Sequence, residues 1–259
     1  MLTWLVQIID VEKEKFNQLL DALDRFNIDF KLVYPKKDKI FLSINGEEFI
    51  PEKDKNYFVC GSYLLAQNAE KLIKNAVFNI DKYSSDEFIK IFGEDNFVNG
   101  DIQTIHSDNI NWEENEKLFI RPINDVKTFN GGVYTKETFP YKGDVAIAKI
   151  KEISQEYRFF VVDKEIISGS SYKLNGKFFE SENIDDGAIL FAKKMIGLFN
   201  EDNYALDIAK VNNEYKIVEL NCLNSAGFYK NDLFKFVIAI ENYYENKKME
   251  LNVSKKMKI

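Results

Sequence analysis

The stretch Tyr204–Asn221, YALDIAKVNNEYKIVELN, constrains this chain more than any other. Apolar residues recur at every second position in both arms around Asn212-Asn213, the mark of a β-hairpin with an asparagine turn. Asp207 and Glu219 each stand six residues from Asn213. A loop with an odd number of residues centred on Asn213 sets them opposite each other on one face, with Cβ atoms about 4.5–5.5 Å apart. Two carboxylates that close repel unless a cation lies between them. Asn221, two residues past Glu219, points the same way and adds an amide oxygen. Val218 and Leu220 then point to the other face, into a core. Oxygen-only ligands suit Mg²⁺ better than a transition metal. The competing reading is a hairpin with a polar, solvated face. A two-residue loop would favour it, because it puts the carboxylates on opposite faces.

The rest of the composition narrows the chemistry. The 259 residues are 45% hydrophobic and 14% aromatic, enough to bury the core of one large domain or two smaller ones. A net charge of −7 works against sequence-independent binding to a nucleic-acid backbone, which relies on clustered Lys and Arg. One histidine, His106, rules out a three-histidine metal centre. The two cysteines, Cys60 and Cys222, cannot build a zinc finger or a disulfide framework, and no motif makes Cys222 and His106 a nucleophile–base pair. Sparse cysteine and the lack of a signal-peptide pattern predict a cytoplasmic protein. No run approaches the ~18 apolar residues of a membrane helix.

In order, residues 2–9 read as a buried strand and residues 12–26 as an amphipathic helix through Phe16, Leu19, Leu20, Leu23 and Phe26. Residues 30–34 read as a second strand stopped by Pro35. This is the start of a parallel α/β unit. Residues 57–60 form another strand, and Gly61-Ser62 opens a helix as a turn and cap. Ser84-Ser-Asp-Glu87 is a capping box before Phe88, Ile91 and Phe92. Residues 93–116 are polar and irregular, with a boundary between 80 and 115. A last helix, about 229–245, carries Leu233, Phe236, Val237 and Ile240 on one face, and the tail from Lys247 is charged and solvated. The expected units are an N-terminal α/β domain over 1–80, a catalytic domain over 81–250 and a tail over 251–259.

Two further stretches carry candidate chemistry. Lys117–Pro122 is a strand ending on Arg121, followed by a loop with Lys127, Gly131 and Gly132 before Val133 and Tyr134 resume a strand. Glycine lets a backbone approach phosphates closely, and Lys127 and Arg121 supply charge. The alternative is an ordinary hairpin with surface charges. Strands at 145–150, 156–163 and 166–173 follow, with Arg158 inside an apolar hairpin on the same face as Glu156 and Phe160. A buried arginine needs an anion or a carboxylate partner, here Glu156 or another strand carboxylate. No Gly-x-x-x-x-Gly-Lys-Ser/Thr sequence is present, which disfavours a P-loop enzyme.

The order of these pieces resembles the ATP-grasp superfamily. The matching pieces are Arg121-Pro122 (with Arg where Lys is usual), the glycine loop Lys127–Gly132, Glu156-Tyr-Arg158, Asp207, and Glu219-Leu-Asn221. More narrowly, Phe119-Ile-Arg-Pro, Lys127-Thr-Phe-Asn-Gly-Gly, Glu156-Tyr-Arg-Phe-Phe-Val-Val and Ser171-Tyr-Lys173 look like a small stand-alone clade named for one arginine and two lysines. The resemblance covers roughly residues 80–245. One departure is that the family often ends Glu-x-Asn-x-x-Pro, whereas this chain continues Asn221-Cys-Leu-Asn-Ser-Ala-Gly227.

The resemblance implies an α/β protein: a parallel α/β unit, then an ATP-grasp fold that holds nucleotide between two α+β lobes. It implies ATP and Mg²⁺ as cofactors. The implied reaction activates a carboxylate as an acyl phosphate for attack by an amine, forming a C–N bond and releasing ADP and phosphate. An ATP-grasp kinase or a non-catalytic nucleotide-binding protein are the alternatives. Asp207, Glu219 and Asn221 would hold Mg²⁺. Arg121, Lys127, Gly131 and Gly132 would meet the phosphates, and Lys149 and Ile150 would face adenine. Arg158 and Lys173 would stabilise the transferring phosphoryl group or orient the carboxylate. The partners are a carboxylate substrate and an amine acceptor, whether small molecule, peptide or protein, recognised by loops at 93–116 and 174–186.

Overall fold

The computed structural model of the chain describes residues 2–113, 116–123, 129 and 131–256. The chain begins with strand β1 (Leu2–Val6), helix α1 (Lys13–Arg25), β2 (Asp29–Lys36), β3 (Lys39–Leu42), β4 (Asn56–Cys60) and α2 (Tyr63–Leu72). The strands form one sheet in the order β3-β2-β1-β4, with β1 parallel to both β2 and β4. All five residues of β1 are buried, as an unbroken apolar strand covered on both faces requires. Pro35 does not stop β2. It lies beyond the pairing with β1, which ends at Leu32, and it faces Ile40 in the short antiparallel pair with β3. Proline is tolerated there because that stretch lies outside the central ladder. Ser62 caps α2 by accepting from the Leu65 N–H, and its own hydroxyl donates to Gln7.

Helix α3 (Ser85–Phe92) carries the capping box expected at Ser84 and Glu87. A second sheet follows, built from β5 (Gln103–His106), β6 (Leu118–Pro122), β7 (Gly132–Tyr134) and β8 (Asp144–Lys149) in the order β5-β8-β6-β7, all antiparallel. The third sheet is β9 (Ile153–Val162), β10 (Glu165–Leu174), β11 (Lys177–Ser181), β12 (Tyr204–Val211) and β13 (Glu214–Asn221), in the order β11-β10-β9-β12-β13. Helix α4 (Asp186–Ile196) lies between β11 and β12 in the chain, and α5 (Leu233–Lys256) closes it. Residues 93–116 and 174–186, expected to be irregular, contain β5 and β11 respectively.

The five-stranded sheet is covered on both faces. Tyr157, Phe159 and Val161 of β9, with Leu206 and Ile208 of β12, pack against Ala188, Ala192 and Met195 of α4. The alternate residues Phe160, Val162 and Ala205 belong to a core shared with Trp4, Phe16 and Phe58 of the N-terminal sheet and helix and with Phe236 and Ile240 of α5. Helix α5 starts at Leu233, with Asp232 capping the Lys235 N–H, because Tyr229 sits at φ +48 and keeps the preceding turn non-helical. It continues past residue 245 to Lys256, through a run free of Gly and Pro and rich in helix formers. The segment from Lys247 is therefore helical over most of its length.

Asn224, just past β13, joins the N-terminal sheet to this body. Its Nδ2 donates to the Val59 and Ala76 carbonyls at 2.7 and 3.0 Å, and its Oδ1 accepts from the Phe78 N–H at 2.8 Å. Its carbonyl accepts from the Gly61 N–H. Removing the amide strands buried backbone groups that cost about 1–3 kcal/mol each. Asn224→Ala is expected to lose about 3 kcal/mol, read as a lower denaturation midpoint; a loss under about 0.5 kcal/mol contradicts this role.

Candidate active site

The β12–β13 hairpin positions the central carboxylates by a route other than the one expected. Its loop is two residues, Asn212 and Asn213, both in the left-handed region at φ +50 and +67, and Val211 pairs with Glu214. Asparagine tolerates that conformation, and the turn matches the twist of its strands. Carried along unbroken, this register would put Asp207 and Glu219 on opposite faces. It is interrupted: Ile208 pairs with Ile217, and Asp207 with Glu219, so Val218 is an extra residue on β13. A bulge of this kind reverses the facing of every residue beyond it. Glu219 therefore opposes Asp207, Leu220 packs on the α4 side, and Val218 packs with Ala209 and Val211. Val218 and Leu220 do not share a face.

Across the sheet, Asp207 pairs in register with Arg158 of β9, and Arg158 with Ser170 of β10. Ser170, Arg158, Asp207 and Glu219 thus form one row over four strands. Arg158 makes a two-pronged contact with Asp207, Nε to Oδ1 at 2.7 Å and Nη2 to Oδ2 at 2.6 Å, and Nη2 lies 3.8 Å from a Glu219 oxygen. Its partner is therefore the carboxylate of the next strand and not Glu156. Asp207 is 1% exposed, whereas the Glu219 side chain is 56% exposed. Asn221 donates to Glu219 at 2.9 Å, so the three oxygen-bearing side chains meet at one place.

Glu156 and Lys173 lie beside this row. Lys173 donates to both Glu156 oxygens at 3.1 Å, and the Tyr172 hydroxyl donates to Glu156 at 2.8 Å and to Asp207 at 3.3 Å. The Tyr172 and Tyr229 rings stack at 4.6 Å, and the Arg158 guanidinium stands 4.9 Å from the centre of the Tyr229 ring. The roles of Tyr172 and Tyr229 were not read from the sequence. Tyr172 lies within the matched Ser171-Tyr-Lys173, but nothing in the residue string marks Tyr229 as left-handed.

The electrostatics follow from burial. Burial pushes the Asp207 carboxyl up to about 6; Arg158 pulls against this and Glu219 adds to it. Burial works against the Arg158 charge, but the Asp207 hydrogen bonds outweigh it and the guanidinium is held more firmly protonated than usual. Burial, then the Asp207 and Glu156 charges, raise the Tyr172 phenol far above its ordinary value, so it acts as a donor.

The other expected residues lie on the second sheet. Arg121 pairs in register with Ala146, and Leu118 with Lys149. Gly132 faces Ile120, and a Cβ on Gly131 would meet the Arg121 Cβ at 3.1 Å, so the lack of a side chain lets Gly131 pack close to β6. Lys149 and Ile150 are exposed at the end of β8, which runs into β9 through residues 150–152. The two groups therefore sit on strands consecutive in the chain. Lys127 lies outside the described residues. The donor set of Asp207, Glu219 and Asn221 fits Mg²⁺, which takes one or two carboxylates and completes its octahedron with water and phosphate oxygens. Among the described residues, no group of three or more His, Cys, Asp or Glu side chains is arranged to hold a metal. Asn221 and ligand oxygens would supply the rest.

No curated protein matches the chain. Its fold is that of several solved ligases. D-alanine–D-alanine ligase from Bacillus anthracis, in complex with ATP, aligns at TM-score 0.57 and 12% identity, over 96% of this chain and 99% of that one. The ATP-grasp ligase PsnB, complexed with a minimal precursor, aligns at 0.55 and 11% identity, over 93% and 98%. The macrocyclase MdnC from Microcystis aeruginosa, bound to precursor peptide MdnA, aligns at 0.51 and 12% identity, over 85% and 91%. Residues 97–238 match the model of an ATP-grasp domain, the second family of the clade named for one arginine and two lysines. The chain belongs to that family, in a superfamily of ATP- and Mg²⁺-dependent ligases.

Proposed function

We propose that this ATP-dependent ligase activates a carboxylate and joins it to an amine. When bound, Mg²⁺–ATP would supply the γ-phosphoryl group that turns the carboxylate into an acyl phosphate, whose phosphate would leave as the amine forms the C–N bond. The observation that carries the reading is the row Arg158–Asp207–Glu219, with Asn221 beside it and Lys173 at its edge.

In this reading Asp207, Glu219 and Asn221 hold Mg²⁺. Arg121 meets the phosphates beside Gly131 and Gly132, with Lys127 assigned by sequence alone. Lys149 and Ile150 offer backbone groups to adenine. Arg158 and Lys173 face charge that develops during phosphoryl transfer, where fixed positive groups out of water are most effective. Lys173 is the more exposed of the two: its side chain is 42% exposed, paired with Glu156 and set over the Tyr172 ring. The chain needs no protein nucleophile, and both cysteines are buried with their thiols pushed up by burial. We assign residues 1–80 to an N-terminal unit, 81–250 to the catalytic domain and 251–259 to a tail. We place the enzyme in the cytoplasm; no helix among the described residues is long and apolar enough to cross a membrane. PsnB and MdnC are described with precursor peptides, which supports testing peptides as well as small molecules as substrates.

Thermal shift with Mg²⁺ and a non-hydrolysable ATP analogue tests the reading. At 100 times Kd the ligand is expected to add about 2.7 kcal/mol, and no shift rejects it. ADP release against carboxylate and amine panels separates ligase, kinase and silent binder. Glu219→Gln is expected to weaken Mg²⁺-dependent nucleotide binding at least tenfold with little change in melting temperature, since a charged ligand is lost from an exposed position. Unchanged affinity removes Glu219 from the metal site. Lys173→Ala is expected to fold normally and slow turnover by about 10²-fold. Arg158→Ala is expected to lose about 3–5 kcal/mol of stability, because it leaves the Asp207 carboxylate buried without its partner.

A further inference from the structure

Glu12 stands where a 3-10 turn, Asp10–Glu12, passes into α1. It holds the N-cap position, yet its side chain does not cap the helix. Its longer side chain is not suited to capping, which Ser, Thr, Asp and Asn do, and it is free to reach elsewhere. Here it turns to the loop after β13. A Cβ on Gly227 would lie 2.8 Å from Glu12 Oε1 and 3.4 Å from Arg158 Nη1, so Gly227 stands between carboxylate and guanidinium and a larger residue there would push the Glu12 carboxylate aside. Burial raises the Glu12 carboxyl above its ordinary value, while a hydrogen bond from the Phe228 N–H and the Arg158 charge pull the other way. Arg158 Nη1 donates to the Gly227 carbonyl at 3.4 Å, and Tyr229, two residues on, covers the guanidinium from its left-handed conformation.

Arg158 thus lies between the sheet carboxylates on one side and the Gly227 carbonyl and Glu12 on the other. Nε and Nη2 face Asp207 and Glu219, the proposed Mg²⁺ ligands; Nη1 faces Gly227 and Glu12. We propose that Glu12 is a positioning residue for Arg158: it draws the guanidinium toward the N-terminal segment and so limits its competition with Mg²⁺ for Asp207 and Glu219. The inference rests on the ligase reading for its metal. With the Glu12 charge gone, nothing on that side opposes the pull of Asp207 and Glu219 on Arg158. The guanidinium is held on them more tightly, and Mg²⁺ binds less well.

The test titrates Mg²⁺ into the full chain in the presence of AMP-PNP and follows the melting temperature, alongside melting without nucleotide. Glu12→Gln is expected to raise the Mg²⁺ half-saturation concentration at least ~5-fold, the lower end of typical coupling between sites. Glu12→Asp, which keeps the charge, is expected to recover most of the wild-type value. Gly227→Ala, whose methyl group lands on the Glu12 carboxylate, is expected to shift the midpoint as Glu12→Gln does. A midpoint within twofold of wild type in a folded Glu12→Gln overturns the inference, and a lower melting temperature with an unmoved midpoint assigns Glu12 a structural role only. Failure of both Glu12→Gln and Gly227→Ala to fold also overturns it in favour of that structural role. If the wild-type chain gives no Mg²⁺–nucleotide response, the ligase reading falls and this inference with it. A wild-type response that Glu12→Gln leaves unchanged removes this inference alone.

Discussion

The buried pair of Arg158 and Asp207 is the interaction on which the rest depends. Two charges taken from water cost several kcal/mol each, and their attraction offsets this only when the remaining hydrogen-bonding groups are also met. Here they are. Asp207 receives two guanidinium nitrogens and the Tyr172 hydroxyl, and Arg158 finds Glu219, the Gly227 carbonyl and the Tyr229 ring. The pair fixes β9 against β12 at one register and gathers charged side chains on one face.

That face is built by a sheet buttressed on both sides. The α4 side is a dense apolar layer, while the other is shared with the N-terminal sheet, α1 and α5. The loop leaving β13 crosses this junction. Asn224 anchors it to the N-terminal strands, and a few residues later Gly227 and Tyr229 rest on Arg158. The stretch where the sequence departs from the usual family pattern is therefore a tie between the two parts of the molecule. The missing proline is offset by a buried asparagine with several backbone partners.

How much of this was legible in the sequence differs by element. Period-2 patterning marked the β12–β13 and β9–β10 hairpins, and 3.6-residue spacing marked α1 and the apolar face of α5, because burial dictates both patterns. The convergence of Asp207, Glu219 and Asn221 was also readable, although the assumed loop was not the one formed. A bulge leaves no compositional trace, so Val218 could not be picked out as the extra residue. The pairing of Lys173 with Glu156, the capture of Arg158 by Asp207 and the stacking of Tyr229 over Tyr172 are tertiary choices among several chemically equivalent partners. Pro35 misled because the local rule against proline in strands applies to a central ladder, and this position lies outside it.

The bulge at Val218 has a consequence for how such hairpins vary. A two-residue turn with one extra residue in the strand gives the same facing of 207 and 219 as a three-residue turn with none. The two designs are interchangeable by one deletion and one insertion some five positions apart. Hairpins of equal length in related chains can therefore present the same pair of oxygens through different backbones. A residue-by-residue alignment drawn through the turn would then misplace everything between the tip and the bulge while still matching the ligands.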